Sequence, residues 1–297
     1  MRVARAVSEL EPRERAVAIG TFDGVHRGHR RVIETALATG LLPTVVTFHP
    51  HPRIALGYAV ELLATLERRL ELLAELGVED VLVIEFTPDF VFTEAEAFAH
   101  TVLAPIGTRV VVAGESFRFG HKRRGDLDLL RRLGYETRPV PLLPGVSSTA
   151  IRRLLHEGDV VAAAALLGRP PEIEGRVVAG DARGGTLGFP TANLALDPYL
   201  LVPAHGIYAG AARGHRAAIS IGTNPHYGGR ERRVEVHLID FHGDLYGQRL
   251  VVELWSRLRD EQAFANEEEL VAQIARDVEE ARVATPPPTE PEAGLLR

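Results

Sequence analysis

Gly20-Thr21-Phe22-Asp23-Gly24-Val25-His26-Arg27-Gly28-His29 decides how the first half of the chain folds. The apolar run Ala16-Val17-Ala18-Ile19 precedes it and reads as a buried strand. After it, Val32, Ile33, Ala36 and Leu37 recur at helical spacing. The stretch is therefore a strand-to-helix turn. Such a turn aims unpaired N–H groups and the positive end of a helix dipole at one point. Glycines let a bulky anion approach the backbone closely, and two histidines three apart add donors at the same place. The residues alone leave two readings: a Gly-rich turn with two surface histidines, or a phosphate site. Metal binding by the pair is disfavoured, because histidines at i and i+3 lack an obvious third ligand.

Around this turn strands and helices alternate. Strand-like runs lie at 16–19, 44–48, 81–86, 109–113 and 136–140, with helical patterns near 28–39, 65–76, 94–103 and 126–133. In the second helix Leu62, Leu66, Leu70, Leu73 and Leu76 form one stripe and Gly77 a stop. Alternation of this kind implies a parallel sheet with helices on both faces. Ligands of such sheets bind beyond the carboxyl ends of the strands. Residues 20–29, 47–53 and 114–120 all lie at such ends. Further on, Ser147-Ser148-Thr149-Ala150-Ile151-Arg152 opens a helix with hydroxyl residues suited to its N-cap. Arg152, Ser148 and Thr149 form a second place where a phosphate chain could be clamped.

A helix over 159–167 ends at Leu167-Gly168-Arg169-Pro170-Pro171, the expected linker. Periodicity then switches towards two, at 173–178, 206–211, 217–221, 234–241 and 249–254, with Gly- and Pro-rich turns between, as in a small antiparallel barrel. Leu270, Ile274, Val278 and Ala281 form one face of a closing helix. The division expected is 1–168, 169–284 and a Pro-, Glu- and Thr-rich tail, 285–297, expected to be disordered.

Composition bounds the function. The chain has 297 residues, 45% of them hydrophobic and 25% charged, enough for two domains with cores of their own. A net charge of −6 argues against a nucleic-acid partner held by a basic surface. The absence of cysteine excludes disulfides, thiolate metal sites and cysteine nucleophiles. No signal-like segment or membrane-length apolar run is read, so the expectation is a cytoplasmic protein with no membrane partner.

Two stretches of the second half carry chemistry. The first runs from Gly180 through Gly184, Gly185 and Gly188 to Phe189-Pro190-Thr191-Ala192-Asn193. It reads as a mobile flap followed by a strand, on which Thr191 and Asn193 point the same way. A hydroxyl and an amide oxygen are hard ligands suited to Mg²⁺; a plain Gly-rich hairpin is the other reading. The second is Val234-Glu235-Val236-His237-Leu238-Ile239, with Glu235, His237 and Ile239 on one face. Glu235 is either a general base for an alcohol or a surface carboxylate.

The 20–29 string resembles the Gly-x-Phe-Asp-Gly-x-His-x-Gly-His signature of the flavin nucleotidyltransferases, and 147–152 is similar to their second signature. Thr47-Phe48-His49-Pro50-His51-Pro52, Thr65-Leu66-Glu67 and Gly114-Glu115-Ser116-Phe117-Arg118-Phe119-Gly120 resemble the intervening blocks. Ser116 departs from the Asp or Asn usual there, and Gly145 from a basic residue. Stretches 175–194, 206–208, 221–225, 235–241, 244–247 and 259–264 resemble, in order, the riboflavin kinase domain. In this order the two resemblances are those of bifunctional riboflavin kinase/FAD synthetases.

The resemblance implies an α/β parallel-sheet nucleotidyltransferase domain followed by an antiparallel β-barrel kinase domain with a C-terminal helix. It implies riboflavin, ATP and FMN as substrates, FMN and FAD as products, and Mg²⁺ in both steps. His26 and His29 would stabilise the ATP phosphates as FMN phosphate attacks the α-phosphorus. Gly20, Phe22, Asp23, Gly24 and Gly28 would belong to that ATP site, with Ser148, Thr149 and Arg152 holding the phosphates from the other side. In the kinase, Gly180, Gly188, Pro190, Thr191 and Asn193 would bind Mg·ATP, the last two through the metal. Glu235 would take the ribityl proton. Ser116 and Phe117, and in the barrel Arg259, Glu261 and Phe264, would lie on the flavin side. The alternatives are a riboflavin kinase with a weak or inactive adenylyltransferase domain, or a flavin- or nucleotide-sensing binding protein.

Overall fold

The structure, a computed structural model, describes residues 1–180, 187–223 and 232–289. Part of the expected flap (181–186), the loop at 224–231 and part of the expected tail (290–297) lie outside the described residues. The chain forms two compact units, Met1–Val146 and Ser147–Arg297.

The first unit is a six-stranded sheet of β1 (Arg2–Ala4), β2 (Arg15–Ile19), β3 (Leu42–His49), β4 (Asp80–Glu85), β5 (Thr108–Gly114) and β6 (Glu136–Val140), in the order β1-β4-β3-β2-β5-β6. Every pairing is parallel. β2 is buried along its whole length. Its alternation splits the core into two layers: Ala16 and Ala18 face one, Val17 and Ile19 the other. The first layer is covered by α1 (Arg27–Leu37), through Val32, Ile33 and Ala36, and by the helix Leu66–Glu75 through Leu72 and Leu73. The second is covered by Ala95–Phe98, a wider turn at Ala99–Leu103, and Leu127–Arg132. From β2 the chain adds strands first on one side, β3 and β4, and then on the other, β5 and β6. The switch point is at β2, where the turn at 20–26 leaves the sheet for α1.

The helix Leu66–Glu75 turns the expected stripe to the core and adds Arg69 and Leu72 to it. It buries Arg69, Leu72 and Leu73, while Leu66, Leu70 and Leu76 are only partly covered. β1 is a three-residue edge strand, too short to carry a periodic signal.

In the second unit, helices Ser148–Glu157 and Val160–Leu167 precede a closed barrel. They pack within this unit, ahead of the Gly-Pro linker: Ala204 N–H donates to Leu155 O, and Val160–Leu167 lies on the last barrel strand. The barrel strands are β7 (Glu172–Val178), β8 (Ala192–Leu196), β9 (Gly206–Ala212), β10 (His215–Thr223), β11 (Arg232–Leu238) and β12 (Arg249–Arg259). All are antiparallel to their neighbours, and the ring closes in the order β10-β11-β8-β7-β12-β9. Alternate residues fill the interior, among them Val234, Val236, Ile219, Ile221, Val252 and Leu254. The closing helix, Glu267–Val283, is capped by Asn266, whose side chain accepts from Glu269 N–H. Its Val278 and Ala281 cover Ala209 and Ile239 on the outside of the barrel.

Candidate active sites

In the first unit the turn after β2 is built by burial. Phe22, at a positive φ of 51°, enters the core beneath the turn. Asp23 is buried and accepts a hydrogen bond from Leu63 N–H at 2.9 Å. A Cβ at Gly24, whose φ is +79°, would come within 2.9 Å of the Leu63 side chain. Phe22, Asp23 and Gly24 thus shape the turn from below. Gly20 lets the Phe22 ring approach, and Gly28 lets the His26 ring fold over the start of α1.

His26 caps α1: its Nδ1 accepts from His29 N–H at 3.3 Å. That bond puts the proton of the neutral ring on Nε2. The His26 and His29 rings stack at 3.6 Å with an interplanar angle of 13°. His29 Nδ1 is buried without a hydrogen-bond partner. Burial first, then the neighbouring His26 and Arg69, hold His29 well below the ordinary histidine range, so it is neutral at pH 7. The motif presents a stacked imidazole pair, with His29 held neutral, at a positive helix end.

Arg69 is the residue that sequence reasoning missed here. It is 5% exposed and reaches beneath the turn, donating to Thr21 O at 2.5 Å and to Phe48 O at 3.1 Å. Its signal was available: an arginine on the apolar stripe, three after Leu66 and four before Leu73. At the carboxyl end of β5, Phe117 N–H donates to Gly114 O and leaves Ser116 exposed at the bend. Phe117 stacks on Phe119 at 5.5 Å, and Phe48, Phe86, Phe90 and Phe98 continue a run of ring contacts.

In the second unit the barrel register makes a juxtaposition that no local reading could supply. Asn193 on β8 stands directly opposite Glu235 on β11. Opposed residues put their side chains on one face, within reach of each other. Arg233, two positions before Glu235, pairs with its carboxylate and donates Nε–H to Asn193 Oδ1 at 3.1 Å. These side chains lie on the outer face of the barrel, since Val234 and Val236 take the interior. A Cβ at Gly180 would overlap the Asn193 amide, so the start of the expected flap closes on Asn193. His237 shares an N–H···O bond of 2.8 Å with Pro190 O and stands edge-on to Phe189, which fixes the approach to Thr191. Thr191 itself borders a cavity with Val177, Leu238, Phe241, Leu245 and Tyr246.

Other expected residues have structural partners. Arg259 makes a two-pronged pair with buried Asp277 of the closing helix, at 2.8 and 2.6 Å, and lies over the Phe264 ring. Glu261 packs its carboxylate on Gly222 and faces His205 at 3.8 Å. Ser147 Oγ caps its helix through Ala150 N–H, which places Ser148 and Thr149 in the first turn and Arg152 one turn on. Gly188 has a φ of +87° and open space around it. No group of three or more metal-ligating His, Cys, Asp or Glu occurs among the described residues.

Comparison with known proteins agrees with this layout. A family model described as FAD synthetase matches residues 8–146, and one described as riboflavin kinase matches 167–285. The bifunctional riboflavin kinase/FMN adenylyltransferase of Escherichia coli K12 is 39% identical over 305 residues, covering 95% of this chain and 97% of that protein. That of Bacillus subtilis 168 is 35% identical, covering 91% and 92%. A crystal structure described as a macrolide-efflux protein from Streptococcus pneumoniae superposes with a TM-score of 0.85 at 32% identity, covering 95% of this chain and 99% of that one. No described helix of the present chain is long and apolar enough to cross a membrane. With both halves matched in order over nearly its whole length, the chain belongs to the bifunctional riboflavin kinase/FMN adenylyltransferase family.

Proposed function

We propose how this chain's own residues divide the two reactions of the family, riboflavin to FMN and FMN to FAD. For the kinase, the observation that carries the reading is the Asn193–Glu235 pair across β8 and β11. Glu235 accepts the proton of the ribityl hydroxyl. The oxygen so freed attacks the γ-phosphorus of ATP, its bond to the β-phosphate oxygen breaks, and ADP leaves. Thr191 and Asn193 hold Mg·ATP beside it. Their oxygen donors fit a hard cation, and the guanidinium of Arg233 already bridges Asn193 Oδ1 and Glu235, a place where oxygens converge on positive charge. Bound there, Mg²⁺ supplies neutralisation of phosphate charge. Gly180, Gly188 and Pro190 frame the nucleotide.

For adenylyl transfer, His26 and His29 donate to phosphate oxygens as an FMN phosphate oxygen bonds to the α-phosphorus and pyrophosphate leaves. Gly20, Phe22, Asp23, Gly24 and Gly28 hold that pair in place. Ser148, Thr149 and Arg152, at the head of their helix, form a second phosphate-binding element. The functional division proposed is 1–168 for adenylyl transfer and 169–284 for the kinase. Ser116 and Phe117 lie on the flavin side of the first unit, and Arg259, Glu261 and Phe264 on that of the barrel. Both reactions consume ATP, which supports a cytoplasmic enzyme.

Two measurements test this. Riboflavin with excess ATP and Mg²⁺ should yield FMN and then FAD, with one ADP and one pyrophosphate per FAD; FMN accumulating with no FAD would show the adenylyl site inactive. Asn193→Ala should raise the Mg²⁺ needed for half-maximal FMN formation by on the order of tenfold or more. The Mg²⁺ dependence of FAD formation from supplied FMN should not move. A common shift in both would sink Asn193 as a kinase ligand.

A further inference from the structure

A buried cation lies beneath the histidine pair. Arg69 projects from the apolar face of the helix Leu66–Glu75 into the space between that helix and the carboxyl ends of β2 and β3. One guanidinium nitrogen donates to the Thr21 carbonyl, inside the 20–29 turn, and another to the Phe48 carbonyl, at the end of β3. Thr47 Oγ1 also donates to Thr21 O, at 3.2 Å, so that carbonyl is held from two sides. Nε is buried with no hydrogen-bond partner. A buried charge is costly unless something uses it. An arginine meant only to fill the gap would be replaced at no loss by leucine or methionine.

We propose that Arg69 is a positioning residue for adenylyl transfer: it ties the 20–29 turn to the end of β3 and places a fixed cation beneath the histidine pair. Its planar fork spans two carbonyls that a single amine cannot span. The charged and titratable groups around His29 are its stacked partner His26, Arg69 from below, and Asp23, which acts on Arg69. Burial lowers Arg69 itself to about 10, and Asp23 partly offsets this, so it stays charged at neutral pH. A fixed positive charge there disfavours a second one on His29. After burial and His26, it adds to what holds the imidazole neutral, so that a change of protonation does not compete with donation to phosphate. It also adds to the positive field of the α1 N-terminus, where a triphosphate would dock. The inference rests on the reading of His26 and His29 as phosphate donors.

The test uses the full chain, with its own kinase reaction as the internal control. Arg69→Met should lower FAD formation from FMN about 10–100-fold, the cost of a misplaced donor pair. FMN formation from riboflavin should stay within about twofold of wild type. The His29 ring should titrate closer to the ordinary histidine value by NMR, and the acid limb of FAD formation should move to higher pH. Arg69→Lys keeps the charge but loses the fork: His29 should titrate as in the wild type, while FAD formation falls several-fold. If Arg69→Met does not fold, Arg69→Lys decides alone. Wild-type FAD formation in Arg69→Lys, or an unmoved His29 titration in a folded Arg69→Met, overturns the proposal. His29→Gln separates the two levels. Full FAD formation in that variant overturns the histidine reading and this inference with it. Loss in His29→Gln with none in either Arg69 variant overturns only the role of Arg69.

Discussion

Replacing Glu235 by Gln is expected to slow FMN formation from riboflavin by about 10²–10⁴-fold, the usual worth of a positioned general base. FAD formation from supplied FMN should keep its wild-type rate, because Glu235 lies on β11 of the barrel and the histidine pair in the other unit. The substitution keeps the shape of the side chain and removes only its capacity to take a proton. Riboflavin and Mg·ATP affinities should therefore change little, and the loss should sit in kcat. Two features make the variant well behaved. Glu235 is on the outer face of the barrel, so no buried charge is stranded, and Val234 and Val236 keep the interior filled. Arg233 loses its ion pair but keeps its bond to Asn193. Steady-state kinetics with riboflavin as substrate, and equilibrium binding of riboflavin to the same sample, check the prediction. Undiminished kcat would mean that another group takes the ribityl proton.

The strands and loops that carry the chemistry were legible because their signals are local. The apolar run of β2, the glycines of the turn and the hydroxyl cap at Ser147 each show within a few residues. The alternation of β11 correctly separated Glu235 and His237 from Val234 and Val236. The strand ends at Leu238, short of the expected 241, and Ile239 just beyond it packs under the closing helix on the outside of the barrel, the side that Glu235 and His237 also take. Asn193 and Glu235 were each singled out, yet their pairing depends on barrel register, which the sequence between them does not encode. Arg69 was missed for a different reason. A stripe of leucines invites attention to the leucines, and the adjacent arginines Arg68 and Arg69 among them read alike as surface residues. Only the packing shows that Leu72 and Arg69 turn inward beside Leu73. Likewise β12 runs to Arg259, beyond the expected end at Leu254, because Arg257 and Arg259 find carbonyl and carboxylate partners that periodicity cannot anticipate.

Asp80→Asn should be the most destabilising conservative change in the first unit. At the amino-terminal edge of the sheet, away from the turn, Arg15 is fully buried. It donates to Ile106 O at 2.8 Å, Thr44 Oγ1 at 2.9 Å, Glu11 O at 3.1 Å and Asp80 Oδ2 at 2.6 Å. These bonds tie the starts of β2, β3 and β4 to the segment before β5. Asp80 is the carboxylate that neutralises Arg15, and it also holds Arg2 of the edge strand. Neutralising it leaves a buried guanidinium uncompensated, at a cost of about 3–5 kcal/mol. Arg2→Ala, which removes a half-exposed, solvent-screened partner, should cost far less than Asp80→Asn. The pH dependence supplies the sign. Burial pushes the Asp80 carboxyl up, but the hydrogen bonds and charges of Arg2 and Arg15 outweigh it and hold it below the usual aspartate value. A depressed carboxyl contributes stability above its unfolded pKa, near 4, and loses it as pH falls through the folded value. The gap in unfolding free energy between wild type and Asp80→Asn should therefore be widest at neutral pH and close below about pH 4. Denaturant unfolding, followed by loss of FAD formation, reads that gap at each pH. A gap that is small at pH 7, or that widens in acid, would mean that Arg15 finds its compensation elsewhere. The double variant Arg15→Met/Asp80→Leu should recover much of the loss, since an apolar pair of similar volume carries no stranded charge.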